Sequence, residues 1–252
     1  MDIAIPPGYK GLVALDKEKH KGLGVTTRRP HAFAASLTGI YVVAAEFVQA
    51  ARHYPVVFAQ DANTGDYMPI AVTGLTQDDN LFVGDQGEWE KDLYIPAYVR
   101  RWPFYGVRIT GEEAKNGNIL ICVDESGLEK SDHPAFDANG KPSEDFQPTQ
   151  TLISEMEGAR QATERLCQSV RELGLLEPFE AHAFPKSGTE MRLRGMFRIN
   201  ENKLNELQGK DVKRLMKHGE LSRMYAHLMS LDNFKFLMDR AAARQKAARL
   251  VS

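Results

Sequence analysis

Leu152, Met156, Ala159, Thr163, Leu166, Val170 and Leu173 recur in alternating steps of four and three. That spacing is close to one helical turn, so it puts all seven on one face of a helix over residues 152–173, closed by Gly174 and Pro178. Such a helix runs about 33 Å and carries a single apolar stripe, which another layer must cover. The rest of the chain has to supply that layer.

The preceding half has strand composition. Ile40–Ala44 is a β-branched run, followed by a short helical face at Phe47, Ala50, Ala51 and Tyr54 that Pro55 ends. Val56–Gln60 and Met68–Gly74 flank the turn formers Asp61–Asp66 and read as a hairpin, and Asn80–Val83, Tyr105–Thr110 and Ile119–Val123 read as further strands. Asn116–Asn118 reads as a turn between the last two. Beyond the long helix, Glu180–Pro185 and Met191–Ile199 form two more strand candidates around Lys186–Thr189, and Asn200 is placed to cap a short helix through Leu207. Leu221, Met224, Tyr225 and Leu228 make one late helical face; Phe234, Leu237, Met238 and Ala241 make another. The fold class expected is α+β, an antiparallel or mixed sheet mainly from the N-terminal half, packed against helices, with a C-terminal helical segment.

A single domain is expected over 1–252, in four regions. Residues 1–35, locally basic at Lys17–Lys21 and Arg28–Arg29, read as a solvated arm. Residues 36–124 form the β-rich region. Residues 125–149, dense in Gly, Pro, Asn, Asp and Ser, read as a long exposed loop. Residues 150–252 are rich in helix, and Arg240, Arg244, Lys246 and Arg249 near the end read as a solvated last turn.

Charge narrows the partners. The chain has 32 basic and 34 acidic residues, and this balance gives no overall electrostatic footprint for nucleic acid, which keeps a nucleic-acid-binding regulator as the weaker alternative. The first ten residues lack a signal-peptide pattern, and the most apolar window, 39–51, is too short to span a bilayer. Two cysteines far apart, Cys122 and Cys167, fit a reducing compartment and read as buried hydrophobes. A cytoplasmic location is therefore expected.

The candidate binding region is the stretch from Trp89 to Phe104, which holds both tryptophans, Tyr94, Tyr98 and the pair Arg100–Arg101. Aromatic surfaces serve cores and interfaces, and a guanidinium can stack on them or meet an anion. Read as a strand, the stretch sends Arg100 and Arg101 to opposite faces. One of them is then either a buried partner of a carboxylate such as Glu46 or Asp124, or the lining of an anion or peptide-carboxylate pocket. Trp89, Tyr94, Tyr98 and Trp102 read as core or as ligand cage.

Catalytic signals are sparse. The seven histidines, His20, His31, His53, His133, His182, His218 and His227, show no metal-ligand spacing, and neither nucleotide-binding nor serine-hydrolase motifs occur. No metal or cofactor is expected. Asp124 and Glu125 end an apolar run, and Glu180 and His182 share a strand face as a formal acid/base pair. Asp124, Arg100, Arg101 and His182 are the candidates if the chain is an enzyme of unassigned reaction.

In order along the chain, Val42–Glu46, Tyr54–Phe58, Gly74–Leu75, Asn80–Val83, Trp89, Tyr94–Ala97, Arg100–Phe104, Leu120–Asp124, Gly195–Leu207 and Leu221–Leu228 resemble the SapC family of bacterial proteins. The resemblance covers about residues 36–238. It implies a role associated with surface-layer or cell-envelope processes and brings no catalytic residues with it. A peptide-transport permease shares the family's name, but this chain has no spanning helix to support that reading. The function expected is a non-catalytic accessory protein that binds a peptide or protein partner, with Arg100, Arg101, Trp89, Tyr94, Tyr98, Trp102 and Asp124 as the ligand-binding candidates.

Overall fold

A computed structural model describes residues 4–62, 64–109, 119–183 and 191–251. The fold is α+β. Its strands are β1 (Val13–Ala14), β2 (Leu23–Val25), β3 (Gly39–Tyr41), β4 (Val56–Gln60), β5 (Tyr67–Val72), β6 (Phe104–Arg108), β7 (Ile119–Val123), β8 (Leu128–Lys130), β9 (Leu176–Ala183) and β10 (Met191–Ile199). Its helices are α1 (Phe47–Ala50), α2 (Ala97–Arg100), α3 (Gln147–Glu172), α4 (Glu201–Asn205), α5 (Gly209–Lys217), α6 (Glu220–Ser230) and α7 (Asn233–Val251). The turns expected at Asn116–Asn118 and Lys186–Thr189 lie outside the described residues.

The chain forms two compact units. The first comprises Met1–Ala34, Asp85–Glu88 and Ala97–Gly158, and the second Ala35–Gly84, Trp89–Pro96 and Ala159–Ser252. The long helix α3 begins in the first and continues in the second.

In the first unit, β1, β7 and β6 form an antiparallel sheet, and β2 pairs with β8. Phe104 and Val123, directly opposite in that sheet, are buried with Ala135 and Phe146 from the segment leading into α3 and with Ile153 of α3 itself. Gly106 lets α3 approach: a Cβ there would lie 2.7 Å from the Ile153 side chain. The N-terminal residues are part of this core, where a solvated arm was expected. β1 and β2 are paired strands, and Tyr9 and His20 are buried. Short strands of two or three residues carry too little pattern to announce themselves in sequence.

Residues 125–149 are irregular for most of their length yet anchored. They contain β8, a single bridge between Phe136 and Pro142, and the buried side chains of Ala135 and Phe146. Exposed residues flank a tight turn at Asp137–Lys141, where the Asp137 side chain accepts from the Asn139 and Lys141 amides and Ala138 and Asn139 face solvent. Limited proteolysis with a broad-specificity protease should cut within 137–141 well before it cuts α3. Equal resistance of the two would show that the whole excursion is packed.

In the second unit one antiparallel sheet runs in the order β3-β5-β4-β10-β9. β4 and β5 form the expected hairpin, and Pro69 of β5 lies opposite Phe58. β10 carries a bulge between Leu193 and Met196, with Gly195 in the left-handed region at φ 78°. Thr163, Leu166 and Val170 of α3 are buried, and Gly174, at φ 62°, ends the helix as its sequence indicates. The Asn200 side chain caps α4 by accepting from the Lys203 amide. Asn80–Val83, expected as a strand, is instead a turn joined by one bridge from Val83 to Trp89.

The face of α6 is rotated from the expected one. Met224, His227 and Ser230 are buried while Tyr225 is exposed. Arg240 and Arg244 of α7 are tied down, where a solvated end was expected. Arg240 pairs with Glu90 and covers the Phe82 ring at 4.5 Å. Arg244 meets Asp79 at 2.7 Å and donates to the Asn80 and Val83 carbonyls.

Candidate functional site

The aromatic and arginine stretch is shared between the units, so its two parts are separate pieces of construction. In the first unit it is helical where a strand was expected. Pro96 precedes α2, as suits a helix start, and the Arg101 amide donates to Ala97 O at 3.0 Å. Arg100 and Arg101 therefore differ by one helical step, about 100°. Arg100 is exposed and Arg101 is only 6% exposed.

The Arg101 guanidinium lies 3.9 Å from the Tyr105 ring centroid and 4.7 Å from that of Tyr98. Tyr9 meets Tyr98, Tyr105 and Phe33 edge-on, and its hydroxyl donates to Phe104 O at 3.1 Å. The Tyr98 hydroxyl donates to Pro7 O at 2.7 Å. Burial raises the pKa of both phenols above the ordinary tyrosine range, and the neighbouring Arg101 charge opposes that rise. Trp102 stacks on Phe33 at 4.8 Å.

Neither carboxylate expected to pair with a buried arginine does so. Among the described residues Arg101 forms no ion pair, and its Nε is buried without a partner, as is the Trp102 indole nitrogen. The Asp124 side chain, 2% exposed, accepts from the Lys10 and Ser126 amides at 2.7 and 3.0 Å. Glu46 lies in the other unit. The Arg101 charge rests on aromatic faces, an interaction worth roughly 0.5–2 kcal/mol. Arg101→Met should therefore cost about 1–2 kcal/mol in thermal unfolding, and Arg100→Met less than about 0.5 kcal/mol. A loss of several kcal/mol at Arg101 would reveal a stranded carboxylate.

In the second unit Trp89 and Tyr94 are framework. The Trp89 indole donates to the Tyr54 hydroxyl at 3.0 Å, which in turn donates to Tyr94 O. The Tyr94 hydroxyl donates to Glu46 at 2.7 Å, and its amide donates to His53 Nδ1 at 2.9 Å.

The catalytic candidates do not form a constellation within either unit. Asp124, Arg100 and Arg101 belong to the first unit, whereas His182 lies on β9 of the second, opposite Arg192. Sequence reading passed over His20, which is fully buried. Its Nδ1 accepts from the Asp16 amide at 2.9 Å, and its Nε2 meets Glu125 at 3.2 Å. Lys19, first, and His20 hold the Glu125 carboxyl below its usual range. With both ring nitrogens engaged, His20 is a strut. Among the described residues no group of three His, Cys, Asp or Glu side chains could hold a metal, and no helix is long and apolar enough to cross a membrane.

The second unit has more than one concave surface, and the one flanked by charged pairs lies between β5 and the later turns of α3. A cleft of about 510 Å³ is lined by Tyr41, by Asp66–Pro69 and by residues 160–171 of α3, within the size range of ligand sites. Arg160, Thr163, Glu164, Cys167, Gln168 and Arg171 fall at helical spacing and so share one face of α3. Arg171 pairs with Asp66 at 3.0 Å, both largely in solvent, and the half-buried Arg160 pairs with the exposed Glu164.

The cleft's interior is neutral. Burial pushes the Cys167 thiol and the Tyr41 phenol each up to about 12, so neither ionises near neutral pH. Thr163 donates to Ala159 O and accepts from the Ala44 amide at 2.8 Å. The arrangement offers polar contacts along its walls and no activated nucleophile. Sequence reading missed it because its two walls are about 100 residues apart in the chain.

No curated protein and no solved structure matches this chain. The SapC family model matches residues 15–237, a span that runs through both units and most of the chain. The chain belongs to the SapC family.

Proposed function

We propose that this protein is a non-catalytic accessory protein that binds a segment of a partner protein in the cleft between β5 and α3. The observation that carries this reading is the cleft itself, whose lining holds two charged pairs and, between them along α3, the neutral Thr163 and Cys167. Side chains of this kind hold a ligand without activating it. In this reading Trp89, Tyr94, Tyr98, Arg101, Trp102 and Asp124 build the framework and Arg100 is a surface charge, so the stretch rich in aromatics supports binding without contacting the ligand. Both units act as one SapC-like domain, as the span of the family match favours. A cytoplasmic bacterial protein serving surface-layer or cell-envelope processes is the setting the family name suggests.

The test is co-purification from a host bearing the natural gene, comparing the unaltered protein with an Arg160→Glu, Arg171→Glu variant of unchanged thermal stability. A specific partner retained by the first and lost by the second supports the reading. A partner retained equally by both places binding outside the cleft.

A further inference from the structure

Asp66 and the first three residues of β5, Tyr67–Pro69, line the cleft in succession. Successive side chains of a strand point to opposite faces, so a cavity touching four in a row lies against the strand's edge. The hydrogen bonds show which backbone groups face it. The Val72 amide donates to Pro55 O and Asp66 O accepts from the Asp61 amide, so even-numbered residues turn toward β4. Pro69 O accepts from the Val42 amide and the Thr73 amide donates to Thr38 O, so odd-numbered residues turn toward β3. β3 pairs Gly39–Tyr41 with Ile70–Val72, and past the Val42 amide the chain turns into a 3₁₀ turn at Ala44–Glu46. Among the described residues, the N–H and C=O of Tyr67 consequently project from an uncovered length of edge beside the cleft.

We infer that the occupant of the cleft is an extended segment of a partner protein that adds to the sheet as a short strand beside Tyr67 and carries an acidic residue near each end. This rests on the reading of the cleft as the binding site and states how the segment is recognised. A free edge N–H and C=O on one residue match the backbone of an antiparallel strand. The opposite wall sets the length. Arg160 and Arg171 are eleven positions apart on one face of α3, about 16 Å, which about five extended residues span. The Arg171–Asp66 pair is solvent-exposed and so contributes little, and Arg160 stands beside Glu164 farther along the same helix face, so a ligand carboxylate near either end meets a guanidinium. Pro69 offers no N–H, so the added strand ends there, and the site takes one short segment without templating a long one.

The probe is a phage-displayed library of random heptapeptides selected on the full chain, followed by synthesis of an enriched peptide. We expect enriched sequences with an acidic residue near each end and no central proline. The peptide should slow deuterium exchange at the Tyr67 amide. Tyr67→Pro, which removes that N–H at a position facing away from β4, should weaken binding about tenfold more than Tyr67→Ala. Arg160→Glu with Arg171→Glu should abolish binding. Peptides that require both arginines but leave Tyr67 exchange unchanged, and that treat Tyr67→Pro and Tyr67→Ala alike, would overturn strand addition and leave the cleft as the site. No enrichment, or enriched peptides indifferent to the arginines, would overturn both.

Discussion

His227→Leu is expected to destabilise the protein by about 2–5 kcal/mol in denaturant unfolding. The imidazole is fully buried on α6. Its Nδ1 donates to Val56 O at 2.6 Å and its Nε2 accepts from the Ile199 amide at 3.0 Å, so one ring is bonded to both β4 and β10. Ser230 supports the same place by accepting from the Val56 amide at 2.9 Å. Leucine matches the ring in size but leaves a buried N–H without a partner, and that asymmetry sets the cost. A loss below about 1 kcal/mol would mean that water replaces the ring.

The same residue gives a pH signature. Burial, partly opposed by the bond to Val56 O, lowers its pKa to about 4, against 6.5 for an ordinary histidine. The unfolded chain then binds the proton more readily than the native one between those values. Stability from this group is complete above about pH 6.5 and is lost as pH falls toward 4, for a total of roughly 3 kcal/mol. Urea midpoints measured from pH 7 to 4 should fall more steeply for the unaltered protein than for His227→Leu. Parallel curves would show that the imidazole titrates normally.

Leu166→Ala carries the second large effect, about 2–5 kcal/mol. Leu166 has no exposed surface, and Thr163 and Val170 on either side of it are equally enclosed. Truncation leaves a cavity that α3 cannot close without moving its neighbours. Gln168→Ala, two positions away on the exposed side, should change stability by less than about 0.5 kcal/mol. Similar small losses at both would mean that the stripe does not face a packed core.

Periodic elements were legible in sequence and tertiary choices were not. The α3 stripe, the β4–β5 hairpin, the strand β10 and the Asn200 cap rest on local spacing and local hydrogen bonding, which a sequence displays. The Arg100–Arg101 pair has strand composition around it, in Val99 and the aromatics, yet stands at the end of a short helix, and Pro96 is the one local signal for that helix start. On α6, Tyr225 was expected inside and His227 was not weighed as core. Spacing alone allows a rotation of one residue, and a buried histidine is decided by the backbone groups it meets on β4 and β10. The cleft was invisible for a similar reason. Asp66 and Arg171 are 105 residues apart and become neighbours only once α3 lies beside β5.

The most direct measurement of where this protein binds is cross-linking in its native host. A photo-reactive amino acid is placed at position 168, exposed in the cleft of the second unit, or at position 100, exposed on α2 of the first. Irradiation should join a discrete partner to the protein labelled at 168, with the cross-linked peptide of that partner bearing acidic residues, and should yield no such adduct from 100. A partner captured from position 100 and absent from 168 would contradict binding in the cleft and return the site to the stretch around Arg100.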